Sequence, residues 1–247
     1  MCAAARCKPG YGGTVRILAL DTATENCSAA LLIDKEVQAR EERIERGHAE
    51  RILPMVDELL RSAHLKLLDL TAIGFGRGPG AFTGVRLAAS VAQGLAFGAQ
   101  LRVVPVSDLR ALAQRALELP GAPARVLVCL DARMQDVYWG CFERGPEGVA
   151  VEVTPERVGS PATVELPVAW RGGAIPSGAG TGFSAYPQLT ARLGPVPPAV
   201  HPDLLPRATE VARLAAVEAL NGRLLPPEQA LPVYLRDDVV HPPPLSH

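Results

Sequence analysis

The residues best suited to chemistry form a glycine-rich loop, residues 76–84, with the sequence GRGPGAFTG. A short apolar strand precedes this loop, and a helix rich in alanine follows it from residue 85 to about 97. Backbone N–H groups in such a loop and at a helix N-terminus can receive an anion or the backbone of another chain. We expect a bound nucleotide or phosphate to lie near Asp21, Gly78, Gly80, Thr83, Gly84 and Arg86, and Thr83 to cap the helix.

Two aspartates stand at the ends of buried strands, Asp21 after residues 15–20 and Asp131 after residues 125–130. Actin-like ATPases use such a pair to hold a metal-bound nucleotide, with glycine after each aspartate so that the backbone can wrap phosphate. Here Thr-Ala-Thr follows Asp21 and Ala-Arg-Met follows Asp131. The two turns therefore favour aspartates that close hairpins as Asx turns. A kinase or ATPase acting through Asp21 and Asp131 is kept as the alternative function.

Other catalytic signatures are missing from the sequence. No two of the five histidines are four residues apart, and there is no G-x-S-x-G segment. His48 is expected next to a helix N-terminus or in contact with a partner. Cys27, Cys129 and Cys141 lie in apolar strand patterns, where a thiolate is disfavoured. We predict no catalytic residue, no metal site and no peptidase activity.

Composition narrows the functional classes further. The 25 Lys and Arg balance the 26 Asp and Glu, and aromatic residues make up 4%, which disfavours direct RNA binding by this chain. The five cysteines contain no C-x-x-C pair, as expected in a reducing, cytoplasmic compartment. No segment resembles a membrane span, and residues 1–14 are expected to be a mobile extension rather than a signal peptide.

A strand, an aspartate, a turn and a second strand at 15–33 recur at 125–142, which indicates an internal repeat. We predict an α/β fold of two lobes with mixed sheets and flanking helices. The N-terminal lobe spans 15–106 and the C-terminal lobe 107–240, whose last segment is expected to pack back on the first lobe. Residues 178–182 (GAGTG) suit either a second phosphate-facing turn or, as we favour, a simple βα loop.

The helix after the glycine loop carries small residues at every fourth position, Gly84, Ala88, Ala92 and Ala96. Because it is apolar almost all round, it is expected to be buried on more than one side. One side can face the sheet of its own lobe. The pattern favours equally a partner chain on the other side and a central helix enclosed within one domain.

Four segments together resemble the TsaB (YeaZ) family: residues 17–24 (ILALDTAT), 78–86 (GPGAFTGVR), 131–139 (DARM with VYW) and 232–236 (PVYLR). The resemblance covers residues 15 to 236. Ala81 and Ala23 stand where serine is usual in the family, and alanine stands at 88–89 near a common glycine.

The resemblance implies a two-lobed actin-like (ASKHA, ribonuclease H-like) fold that dimerises through its N-terminal lobe. It also implies a non-catalytic subunit that binds TsaD, the catalytic subunit that threonylcarbamoylates adenosine 37 of tRNA, with TsaE as an ATPase partner. ATP and metal would belong to these partners, tRNA contact would be indirect, and a homodimer would form without them.

The predicted partner interface consists of Val85, Ala88, Ala89, Ala92, Gln93, Ala96, Ile52 and Val56. On this hypothesis, arginine at Ala92 leaves the lobe folded and abolishes pairing.

Overall fold

The computed structural model describes residues 14–171, 173–194 and 199–236. The predicted extension at 1–14 lies outside the described residues, except for Thr14. Within the described part of the chain, none of the helices combines the length and the apolar content needed to cross a bilayer.

The chain alternates strands and helices. The strands are β1 (Arg16–Asp21), β2 (Asn26–Ile33), β3 (Glu36–Arg43), β4 (Ala72–Gly76), β5 (Arg102–Val106), β6 (Arg125–Asp131), β7 (Val137–Arg144), β8 (Ala150–Glu152), β9 (Arg157–Gly159), β10 (Ser177–Ala179) and β11 (Val200–His201). The helices are α1 (His48–Ser62), α2 (Phe82–Ala99), α3 (Asp108–Leu117), α4 (Gly182–Ala185) and α5 (Ala208–Leu220). Five short 3-10 turns complete the described chain.

Two mixed sheets confirm the predicted α/β architecture. The first has the order β3-β2-β1-β4-β5, in which β1 pairs antiparallel with β2 and parallel with β4. The second has the order β11-β10-β6-β7-β8, in which β6 pairs antiparallel with β7 and parallel with β10. The repeat predicted from the aspartate-terminated strands is therefore present in the strand pairing. It places Asp21 and Asp131 at equivalent strand ends.

Helices enclose the first sheet on both faces. α1 and α2 cover one face, and α5 covers the other. α3 packs against α5 and against the second sheet, so it joins the two halves of the molecule. α5 follows residue 107 in the sequence, yet it packs on β1, β2 and β4 of the first sheet. The predicted boundary between the lobes at 106/107 stays a prediction.

The orientation of α2 corrects the proposed partner interface. Seven residues of the predicted interface are buried in the chain's own core. Five of them lie in α2 (Val85, Ala88, Ala89, Ala92 and Ala96) and two in α1 (Ile52 and Val56). The eighth, Gln93, is half-buried and donates a hydrogen bond to the Pro227 carbonyl at 3.1 Å. The small side chains let α2 lie close to the first sheet, so the alanine row meets the chain itself rather than a partner.

Details at the helix ends differ from the sequence pattern. α2 begins at Phe82 with Ala81 as its N-cap, so the prediction that Thr83 caps it is wrong. The Ala81 amide donates to the Ala23 carbonyl at 2.7 Å, which turns the chain into the helix two residues early. At the start of α3, Ser107 is the N-cap, and its hydroxyl accepts the Arg110 amide.

Candidate functional site

The equivalent strand ends open onto one cleft between the sheets, with a volume of about 1910 Å³. Both halves of the molecule and the C-terminal segment line this cleft. The first half contributes residues 22–25, 43–50 and 79–85, and the second half contributes 130–133, Thr181 and Ser184. The C-terminal segment contributes residues 233–236. The glycine loop and both aspartate turns therefore meet here. The 178–182 segment forms the end of β10 and the start of α4, as expected of a βα loop.

Both strand-end aspartates form Asx turns, which confirms the structural interpretation of these residues. Asp21 Oδ1 accepts the Ala23 amide at 2.9 Å, and Asp131 Oδ1 accepts the Arg133 amide at 3.0 Å. Asp131 also contacts the Arg133 guanidinium and accepts a hydrogen bond from the Tyr186 hydroxyl at 3.3 Å. Both carboxylates are thus engaged by their own chain.

The glycine loop packs directly on the turn after β1. A Cβ atom at Gly80 would lie 2.5 Å from the Ala23 carbonyl oxygen, and one at Gly84 would collide with the Thr22 carbonyl. The Thr22 hydroxyl donates to the Gly84 carbonyl at 2.7 Å. Gly78 adopts a left-handed φ of +100°. The glycines are therefore needed for close approach within the chain, which leaves less of the loop to cradle a phosphate.

The strongest electrostatic feature is a buried pair of carboxyl groups, Asp21 and Asp108, beneath the glycine loop. Asp108 Oδ2 accepts the Gly78 amide, and Asp21 Oδ1 accepts the Ala23 amide. Among the described residues, no further donor reaches Asp21 Oδ2 or Asp108 Oδ1. The two carboxyl groups lie close enough for each to shift the pKa of the other.

Burial is the main cause of the raised pKa values of this pair. It raises the pKa of Asp21 to about 6, against the smaller lowering effects of the Ala23 amide and of His48. Burial and the neighbouring Asp21 charge raise the pKa of Asp108 well above its usual value, and Arg77 lowers it less. Burial therefore favours the neutral form of both carboxyl groups more than water does.

The remaining predicted residues lie at the rim of the cleft. Thr83 and Arg86 are exposed, and the Arg86 guanidinium lies 3.5 Å from the centre of the Phe82 ring. Arg86 Nε also donates to the Tyr234 hydroxyl at 2.6 Å. His48 begins α1 and lies 2.9 Å from the Thr24 carbonyl. Within the predicted phosphate-binding set, Asp21 and Gly80 both contact Ala23, and the Gly78 amide donates to Asp108 next to Asp21.

Nucleophile and metal chemistry have little support at the cleft. Burial raises the pKa of Cys27 and Cys141 to about 11 and that of Cys129 well above its usual value, so the three thiols are protonated. Within residues 14–171, 173–194 and 199–236, no three His, Cys, Asp or Glu side chains are grouped closely enough to hold a metal ion.

A second surface lies on the side of α2 that faces away from the sheet. Phe97 in α2 is 77% exposed, and Leu68, in the short turn before β4, is 72% exposed. Gly94 and Gly98, four residues apart, have nothing within 4 Å of an added Cβ atom. They line a shallow apolar groove of about 470 Å³ with Leu67, Leu68 and Leu95. We call Leu68, Gly94, Phe97 and Gly98 the outer face of α2.

Sequence reasoning missed Asp108 and the outer face. A charged residue directly after the N-cap Ser107 looks like an ordinary helix-terminal acid, and its contact with Asp21 depends on the tertiary fold. Gly94 and Gly98 did carry a signal, because their four-residue spacing places them on one face of the helix.

Comparisons with known proteins show extensive similarity. A family model described as "TsaD: tRNA N6-adenosine threonylcarbamoyltransferase" matches residues 36–181. The tRNA threonylcarbamoyladenosine biosynthesis protein TsaB of Escherichia coli K12 is 42% identical over 228 residues, covering 91% of this chain and 96% of the relative. TsaB of Haemophilus influenzae is 41% identical over 235 residues, covering 90% and 94%.

Solved structures agree with these relatives. The YeaZ structure from Pseudomonas aeruginosa is 46% identical, with a TM-score of 0.81, and the match covers 90% of this chain and 100% of that one. A second structure, described as an uncharacterised protein with similarity to peptidase YEAZ from the same organism, gives 46% identity and a TM-score of 0.83, with 90% and 100% covered.

Proposed function

Because this chain belongs to the TsaB family of tRNA threonylcarbamoyladenosine biosynthesis proteins, we propose that it is a non-catalytic accessory subunit of the threonylcarbamoylation machinery. Its partner is a TsaD-type catalytic subunit that modifies adenosine 37 of tRNA in the cytoplasm, together with a TsaE-type ATPase. The partners hold ATP and metal, and tRNA contacts this chain only through the complex. The 42% identity over 96% of Escherichia coli TsaB carries this proposal.

The outer face of α2 is the surface we propose for docking the TsaD-type subunit. Phe97 and Leu68 offer large apolar side chains that an interface would bury. Gly94 and Gly98 allow the backbone of a partner helix to come close, since no atom of this chain fills the space beside them. The same face would join two copies of the chain when the partner is absent.

The substitutions Gly94→Arg and Phe97→Asp test this docking surface. Because Gly94 faces open space, the longer side chain fits the folded lobe and obstructs only a partner. Loss of a central aromatic contact costs about 2 kcal/mol or more, or about a 30-fold rise in Kd. We expect the wild-type chain to co-elute with its TsaD-type subunit in size-exclusion chromatography and both variants to elute separately.

A matched control is Leu220→Arg, which places the same charge on an exposed apolar position at the end of α5. This variant should co-elute like the wild type. If Gly94→Arg and Phe97→Asp keep the wild-type circular dichroism spectrum and still co-elute, the proposed docking face is wrong. If the wild-type chain itself fails to pair, the accessory-subunit function loses its support.

The alternative of an actin-like kinase or ATPase has weaker geometric support. Asp21 is fully buried and accepts the Ala23 amide, while Asp131 contacts Arg133 and Tyr186. Calorimetry with ATP and magnesium on the isolated chain separates the two functions. Tight binding with turnover would favour the enzyme.

A further inference from the structure

The C-terminal segment crosses the opening of the cleft and contacts both halves of the molecule. We call residues 232–236 (PVYLR) the strap. On the first half, the Val233 amide donates to the Arg77 carbonyl at 2.7 Å. A Cβ atom at Gly78 would lie 2.8 Å from the Val233 carbonyl, so the strap is packed tightly on the glycine loop.

Aromatic packing strengthens this first attachment. The Tyr234 ring lies 5.7 Å from the Phe82 ring, and the Arg86 guanidinium sits near both rings. The hydrogen bond from Arg86 to the Tyr234 hydroxyl fixes the position of the tyrosine. Three kinds of contact thus hold residues 233–234 to the start of α2.

The second attachment depends on one side chain, Arg236. Its Nη2 atom donates to Asp136 Oδ2 at 2.6 Å, and its Nη1 atom lies 3.0 Å from the Met134 sulfur. Both members of the ion pair are partly buried, so solvent screens the pair less than it screens a surface pair. Arg236 therefore connects the strap to the turn between β6 and β7.

That turn has an unusual backbone conformation. Arg133, Met134 and Gln135 have φ values of 62°, 53° and 64°, a left-handed run of three residues without glycine. The Asp136 amide donates to the Arg133 carbonyl, and the Ala132 amide to the Asp136 carbonyl, each at 3.0 Å. Asp136 thus closes the turn with its backbone and holds Arg236 with its side chain.

From these contacts we propose that the strap is a latch across the cleft, held closed by the Arg236–Asp136 ion pair. Its extensive attachment to the first half is permanent, and its single side-chain attachment to the second half is the releasable end. Breaking the pair frees the rim of the second half, and the two sides of the cleft then move apart. The latch does not depend on the identity of the partner subunit.

Distance measurements across the cleft in the full chain test the latch. Glu45→Cys and Ser184→Cys place spin labels on opposite walls, with Cys2 and Cys7 replaced by serine. We expect one narrow distance distribution for the wild-type background. Arg236→Gln and Asp136→Asn should each broaden it towards longer distances, while hydrogen exchange of the Val233 amide should stay at the wild-type rate because the attachment to the first half remains closed.

Two further variants make the result specific. Arg61→Gln breaks an exposed ion pair within α1 and should leave the distribution unchanged. Arg236→Asp combined with Asp136→Arg reverses the pair and should restore the narrow distribution. A folded Arg236→Gln chain with the wild-type distance distribution overturns the proposal. Failure of Arg236→Gln to fold also overturns it, because a latch must open without unfolding either half.

Discussion

The buried Asp21–Asp108 pair should make the stability of this protein fall as the pH rises, and Asp21→Asn should remove much of that fall. In the variant, the asparagine carbonyl can still accept the Ala23 amide. The substitution therefore keeps this hydrogen bond while removing one of the two ionisable groups of the pair.

The magnitude follows from the acidity of Asp21. Its pKa rises from 3.8 to about 6 on folding, because burial disfavours the charged carboxylate. Since the folded-state pKa is the higher one, the associated stability is fully present below pH 3.8 and is lost as the pH rises through about 6. The difference amounts to about 3 kcal/mol in the free energy of unfolding.

Urea denaturation from about pH 4.5 to about pH 7.5 measures the effect. The stability of Asp21→Asn relative to the wild type should increase with pH by about 2 kcal/mol over this range, because part of the full difference lies below pH 4.5. Asp57→Asn is the control. Arg61 lowers the pKa of the exposed Asp57 from 3.8, so the contribution of this group changes only below that pH, and the variant should differ from the wild type by a constant amount over the measured range.

A difference between Asp21→Asn and the wild type that stays constant with pH would refute the raised pKa of Asp21. A variant that becomes relatively less stable at high pH would refute it as well, since the wild-type carboxylate would then be stabilising.

Two further predictions concern α2. Ala92→Arg should unfold the N-terminal half rather than leave it folded, because the site of a buried alanine has no room for a charged side chain. The expected loss of stability is several kcal/mol. Circular dichroism and thermal melting measure it. Gly94→Ala should stabilise the chain by about 1 kcal/mol, because the new Cβ atom meets open space and alanine favours the helix. Gly84→Ala should destabilise the chain, because its Cβ atom would collide with the Thr22 carbonyl. Equal unfolding midpoints in urea for these two glycine variants would contradict the assigned orientation of α2.

Local patterns predicted much of the fold. Buried strands ending in Asp21 and Asp131 were recognisable because both the apolar run and the Asx turn are encoded within a few residues. The repeated order of these elements then indicated two related halves, and the strand pairing confirms it. The cap at Ser107 was predictable for the same reason, since it involves only the first turn of α3.

The direction of α2 could not be read from its sequence. A helix that is apolar almost all round has no periodic signal that separates the side facing a sheet from the side facing outward. Packing against β4 decided that Ala88, Ala92 and Ala96 lie inside. Gly94 and Phe97 were thereby left outside.

The sequence by itself determined the elements, their repeat and the family resemblance, because each depends on residues that are near neighbours or on a motif read in order. The tertiary structure alone decided that Asp21 meets Asp108 and that Arg236 reaches Asp136. Such contacts join residues far apart in the chain, and the fold creates them by bringing strand ends and helix starts to one cleft.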